Sequence, residues 1–319
     1  MPRIAFATIL LASVLSLASP VGAAPAYIAL GDSITFGETD LSYVQSFGDR
    51  GYVGRFADTL ASRNGGVRPV VTNLAIDGET TGSFNTGIGR TTPVVGRTDA
   101  ILAAQNLNYA ANPAVPQRTL LGQTVASQTA LGNTINTISV TLGFNDVAAL
   151  ASSPATALSL LPSTLATYQA NYAAILTEIR QLAPTADLFL LGYFNPFPGD
   201  PANPANPLFA AGGPQVNTII QGLAAQFGGR YVDTATPFVG NEAAYTFIDE
   251  QRAGFISPGP FSGVEPVGNV HPNDTGYGVI AQQIAAASAT AVPEPSALAL
   301  FGTGAVFAIG SLRRRRATV

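Results

Sequence analysis

The chain has 319 residues, 47% of them hydrophobic and only 11% charged, with a net charge of −4. That is ample for a sizeable core, and the acidic balance argues against a surface for nucleic-acid phosphates. With no cysteine and a single histidine, His271, the chain holds no disulfide framework, zinc–thiolate site or histidine-rich metal centre.

Residues 1–24 read as a secretory leader: Arg3, an apolar stretch from Ile4 to Leu17, then the small residues Val21-Gly22-Ala23. Tyr27-Ile28-Ala29-Leu30 follows as a buried strand. It delivers Gly31-Asp32-Ser33-Ile34 at a tight strand-to-helix turn, the edge where open α/β sheets hold their ligands. A polar loop over 38–51 carries Tyr43 and Phe47. Residues 52–63 then fit an amphipathic helix, with Val53, Phe56, Ala57 and Leu60 on one face, stopped by Asn64-Gly65-Gly66. A second strand over 69–75 runs into the turn Ile76-Asp77-Gly78-Glu79-Thr80.

Residues 81–136 are rich in Gly, Thr, Asn and Pro, and the pattern predicts only one helix there, over 97–106. So long a stretch is either substrate-facing or an elaboration packed on the core. A third strand over 138–142 ends in Gly143-Phe144-Asn145-Asp146. The helix over 158–182 carries Leu161, Leu165, Tyr168, Tyr172, Ile175 and Ile179 at helical spacing, with the tyrosines expected in the core. A fourth strand spans 188–193. The proline-rich segment 195–214 is expected to form a surface loop, because its prolines oppose a helix or central strand. A helix over 216–227, a short strand over 231–233, an irregular stretch over 234–269 and a last helix over 275–289 complete the chain up to its tail. Strands alternating with helices at this spacing predict a mostly parallel five-stranded sheet covered on both faces, in one domain over 25–291.

Four strand ends or loops carry reactive-looking groups: Ser33, Gly78, Asn145 and His271. A serine hydroxyl needs a base to take its proton, and His271 is the one histidine available. A developing oxyanion needs fixed donors, which the amides of Ser33 and Gly78 and the side chain of Asn145 would supply. Each residue also has a plain structural use, as a helix cap, a turn glycine, an Asx turn and a surface histidine. Their coincidence in this order favours chemistry.

The blocks Gly31-Asp32-Ser33, Gly78 in its turn, Gly143-Phe144-Asn145-Asp146 and His271-Pro272 resemble the SGNH (GDSL-type) hydrolase superfamily. The resemblance covers about residues 26–290. It implies a three-layer α/β/α sandwich of SGNH/flavodoxin-like type and hydrolysis of a carboxylic ester or thioester through an acyl-serine. Ser33 would be nucleophile, and His271 base and then acid. Ser33, Gly78 and Asn145 would form the oxyanion hole, and no cofactor or metal is implied. One departure stands out: the family usually has an aspartate three residues before the histidine, where this chain has Gly268. A backbone carbonyl at Gly268 or Asn269, or the carboxylate of Glu265, would then orient the imidazole. The expected substrates are acyl or aryl esters, with acetylated carbohydrate as an alternative. A non-catalytic matrix or adhesion protein on a hydrolase scaffold is the competing reading.

At the C-terminal end, Val292-Pro293-Glu294-Pro295-Ser296 precedes the uncharged stretch 297–312 and then Arg313-Arg314-Arg315-Arg316. As a helix this stretch would span roughly 24 Å, short of a hydrocarbon core of about 30 Å. Pro-Glu-Pro, a short apolar span and terminal arginines in that order resemble a PEP-CTERM sorting tail over 292–319. That resemblance implies export in a Gram-negative cell, transient anchoring in the inner membrane, and removal of the tail by an exosortase-type peptidase. The product would go to the cell surface or extracellular matrix.

Overall fold

The computed structural model describes residues 23–37, 50–87, 115–197, 206–247 and 269–289. Most of the expected leader, the expected helix over 97–106, Tyr43, Phe47, Glu265, Gly268 and the tail over 292–319 lie outside the described residues. Among the described residues, no helix is long and apolar enough to cross a membrane.

Strand β1 (Pro25–Gly31) enters the short helix α1 (Ser33–Phe36), and α2 (Gly51–Arg63) leads to β2 (Val70–Asn73). Helices α3 (Thr81–Thr86) and α4 (Gln117–Ala130) precede β3 (Thr134–Thr141). After β3 come α5 (Phe144–Ala148), the long α6 (Pro154–Leu182) and β4 (Asp187–Leu191). Helix α7 (Asn206–Gln226), β5 (Arg230–Val232), α8 (Glu242–Tyr245) and β6 (Thr246–Phe247) follow, and β7 (Asn269–Pro272) feeds α9 (Asp274–Ala289).

Five strands form one sheet in the order β2-β1-β3-β4-β5, every pair parallel. The chain steps outward from β1 to β2, then crosses back to β3 and continues the other way. Right-handed crossovers therefore put α2 on one face and α4, α6 and α7 on the other. The packing agrees: α2 lies against α9, while α6 meets α3, α4 and α7. Tyr27, Ile28, Ala29 and Leu30 are fully buried, as a central parallel strand covered on both faces requires. Phe56 of α2 sits edge-on to Tyr27 (5.6 Å) and Phe189 (5.5 Å), tying that helix to β1 and β4. Tyr168 and Tyr172 are core residues, as expected.

Two expectations need correction. Helix α7 begins at Asn206 and runs through Pro214, so the second half of the 195–214 segment is helical. Pro207 lies in the first turn, where its missing N–H costs nothing, and one lost bond at Pro214 is outweighed by burial of Leu208, Phe209, Val216, Ile220 and Leu223 along the helix. Residues 117–130 also form a helix where none was expected. Its apolar residues are sparse, but Gln117, Leu120, Leu121, Val125 and Gln128 recur at helical spacing and are buried. In the irregular 234–269 stretch the structure adds a two-stranded antiparallel pair, with Thr246 opposite Pro272 and Phe247 opposite Asn269.

Candidate active site

Ser33 is the first residue of α1, at the carboxyl end of the interior strand β1. Asp32 caps this helix by accepting the Ile34 amide at 3.1 Å. The turn needs Gly31: its φ is 141°, and a Cβ there would run into the Thr141 carbonyl and lie 2.7 Å from the Thr35 hydroxyl. As the first helical residue, Ser33 has an N–H with no partner inside the helix.

His271 belongs to β7, whose pairing with β6 holds it above the same sheet edge. Its Nε2 lies 2.7 Å from Ser33 Oγ, although the two residues are 238 apart in the chain. Ser33 is 7% exposed and His271 half-buried, so the pair is reachable from a cavity rather than from open solvent.

That cavity has an empty volume of about 430 Å³ and is lined by Ser33, Asn145 and His271, with Phe144, Tyr193 and Phe194 as its aromatic wall. The same three aromatics border a second, narrow apolar crevice lined also by Phe209 and Val216. Phe144 stacks on Phe209 at 4.7 Å, and Phe197 packs on Phe209 at 5.6 Å. Phe194 borders both the cavity and the crevice, and Phe209 the crevice.

Asn145, in the first turn of α5, donates from Nδ2 to the carbonyl of Glu79 at 3.0 Å. A side-chain amide carries two hydrogens, and the second has no partner among the described residues. Gly78, at φ 72°, is the residue before Glu79. It does not itself line the cavity among the described residues, but its turn is fastened to the residues that do. The neighbouring Asp146 grips the next part of the same loop, accepting Thr81 Oγ1 at 2.6 Å and the Thr81 amide at 3.0 Å. The Gly143-Phe144-Asn145-Asp146 segment thus clamps residues 79–81.

The structure brings together Ser33, His271 and Asn145 and sets Gly78 beside them; Glu265 and Gly268 lie outside the described residues. It also reveals participants that were not assigned from sequence. Asp32 Oδ2 accepts the Tyr193 hydroxyl at 2.7 Å, and Tyr193 is itself held by Asn217, which exchanges two hydrogen bonds of 2.8 Å with its backbone. Burial pushes the Asp32 carboxyl up to about 7, against the opposing pull of the Tyr193 and Ile34 hydrogen bonds. Burial likewise raises Asp146 to about 6, although the hydroxyl and amide of Thr81 favour its charged form. No spacing in the sequence links Asp32 to Tyr193, which arrives from the end of β4. Asp146 stood within the quoted Gly-x-Asn-Asp block, but its partner Thr81 did not.

Among known proteins, the family model for the GDSL-like lipase/acylhydrolase family matches residues 29–279, and that for the PEP-CTERM protein-sorting motif matches residues 291–316. No curated protein sequence matches the chain significantly. Several solved structures share the fold. One is a lipase from a goat rumen metagenome, 20% identical, covering 83% of this chain and 97% of that one with a TM-score of 0.54. Another is an acetylxylan esterase from Geobacillus stearothermophilus, at 16% identity, 85% and 97% coverage and a TM-score of 0.50. A third is an extracellular lipase from Streptomyces rimosus, at 19% identity, 84% and 100% coverage and a TM-score of 0.50. These likenesses are distant and speak for the fold. The family match spans the strand that presents Ser33, the loops bearing Gly78 and Asn145, and His271, and on it the chain belongs to the GDSL-like lipase/acylhydrolase family.

Proposed function

We propose that this hydrolase is an exported serine esterase that cleaves carboxylic esters through an acyl-serine intermediate. The observation that carries the reading is the 2.7 Å contact between Ser33 Oγ and His271 Nε2 at the floor of an aromatic-walled cavity. Ser33 Oγ attacks the acyl carbon while His271 Nε2 takes its proton. The carbonyl oxygen becomes an oxyanion, bound by the N–H of Ser33, the N–H of Gly78 and the remaining amide hydrogen of Asn145. Collapse breaks the ester C–O bond, and the imidazolium gives its proton to the departing alcohol. Water then repeats the sequence on the acyl-serine and releases the acid, so every step uses side chains and backbone alone.

Three residues before His271 in the sequence, Gly268 occupies the position where the resembled family usually has an aspartate. A backbone carbonyl at Gly268 or Asn269 holds the tautomer, or Glu265 does; in Glu265→Gln an unchanged rate removes Glu265 from the mechanism and leaves the carbonyl version standing, and a fall in rate favours Glu265. The apolar lining by Phe144, Phe194, Phe209 and Val216 beside the cavity favours an acyl or aryl group over a charged one. The PEP-CTERM motif at 291–316 points to export and sorting. We take residues 1–24 as the leader and the tail as a transient inner-membrane anchor removed by an exosortase-type peptidase. A neighbouring exopolysaccharide would then make acetylated carbohydrate the second candidate substrate.

The test is hydrolysis of p-nitrophenyl acetate and butyrate by the full-length chain, with Ser33→Ala beside it. Turnover should fall by at least about 10³-fold in the variant. Equal turnover, or none above the variant for either ester, would remove the serine-esterase reading in favour of a non-catalytic scaffold.

A further inference from the structure

Gln117 opens α4, in a region whose sequence pattern marks no site, and it is fully buried. Its side chain makes three hydrogen bonds. Oε1 accepts the Gly31 amide at 3.0 Å, while Nε2 donates to the Gly31 carbonyl at 2.6 Å and to Glu79 Oε2 at 2.7 Å. Both amide hydrogens are thereby used, which offsets the cost of burying such a polar group.

The partners matter more than the number of bonds. Gly31 lies two residues before Ser33, and Glu79 directly follows Gly78. The Glu79 carbonyl holds Asn145, and its carboxylate takes the Ser83 hydroxyl as well. Strand β2 ends at Asn73, and past that point the chain still reaches β1 through Leu74 N–H to Ala29 and Ile76 N–H to Gly31. Gln117 fills the remaining place beside the end of β1, as a short stretch of neighbouring strand would. One side chain thus bonds directly to the segments that carry Ser33 and Gly78, and Glu79, its partner in the second segment, is itself the anchor of Asn145.

We propose that Gln117 is a positioning residue for the oxyanion hole: by bonding Gly31 and Glu79 together, it sets the spacing of the Ser33, Gly78 and Asn145 donors. This rests on the oxyanion roles proposed above. Gln117 itself touches no reacting atom. A displacement of donors by about 1 Å can cost about 10²-fold in rate without changing how substrate is held in the ground state.

The experiment is a double-mutant cycle on p-nitrophenyl acetate with the full-length chain, combining Gln117→Met with Asn145→Ala. Gln117→Met should lower kcat by about 10- to 100-fold while KM stays within about twofold. In the Asn145→Ala background, the same change should cost clearly less than in the parent, because one of the three donors it positions is already gone. Glu79→Gln is a second arm, read by the same two criteria, and it decides the matter if circular dichroism shows that Gln117→Met does not fold. A kcat within twofold of the parent, or costs that multiply in full across the cycle, would overturn the proposal. Ser33→Ala separates the layers. If it is inactive and the cycle shows no coupling, only the role of Gln117 falls; if it retains turnover, or the parent has none, the catalytic reading falls and this one with it.

Discussion

Gly31 is where a single missing methyl group decides whether Ser33 can be presented at all. At φ 141° the backbone is in a region that side chains oppose, and a Cβ would press on the Thr141 carbonyl and the Thr35 hydroxyl. Neither neighbour can retreat freely, since Thr141 is paired in the sheet and Thr35 Oγ1 bonds Tyr52 at 2.9 Å. Gly31→Ala should therefore destabilise the fold by roughly 2–4 kcal/mol. Urea unfolding measures this, and a change within about 0.5 kcal/mol would contradict the account of the turn. At this scale the sequence was most informative where chemistry demands a residue type: a serine after a strand, the sole histidine, a glycine in a turn. Tyr193 was not legible as a partner of Asp32, because 161 residues separate them and a tyrosine at a strand end looks like core. Gln117 was hidden for the same reason, since a glutamine carries no mark of burial until its partners are known.

Elements were legible in proportion to how fully their burial is written into local pattern. The buried parallel strands stood out as apolar runs, and α6 as a long helical repeat, because each faces the core along most of its length. Helix α4 was missed since few of its residues are apolar, and the first half of α7 because local proline rules were overridden by packing against the core. The short β6–β7 pair, which steadies His271, joins segments more than twenty residues apart, too few paired positions to leave a pattern. The strand ends also carry an electrostatic consequence. Asp32 and Asp146 are buried just beyond β1 and β3, with their carboxyls raised to about 7 and about 6. Between about pH 4 and 7 the folded protein holds protons that the unfolded chain has already released. Their contribution to stability is therefore complete below about pH 4 and is lost as pH rises through 6 and 7, by at most about 1.4 kcal/mol per pH unit for each group. Asp32→Asn should flatten the part of this slope between about pH 4 and 7 in urea unfolding. An identical slope in both proteins would show that Asp32 ionises as it does in the unfolded chain.

Across the whole molecule, the expected three-layer arrangement matches the observed one: a five-stranded parallel sheet with strand order β2-β1-β3-β4-β5 between two helical layers. The strand order could not be derived from periodicity, which sees each segment alone, and is read from the structure. The match over residues 29–279 gives the chain its family, and the motif over 291–316 its sorting signal. Three residues before His271 this chain carries Gly268 in place of the family's usual aspartate, so the account stands on the Ser33–His271 pair working without it. Reaction of the full-length protein with a fluorophosphonate, followed by peptide mass mapping, tests that pair most directly. The account predicts one phosphonyl adduct, on Ser33, forming at least about 10²-fold more slowly in His271→Ala. An adduct on another residue, no adduct, or labelling of Ser33 at the same rate in His271→Ala would contradict it.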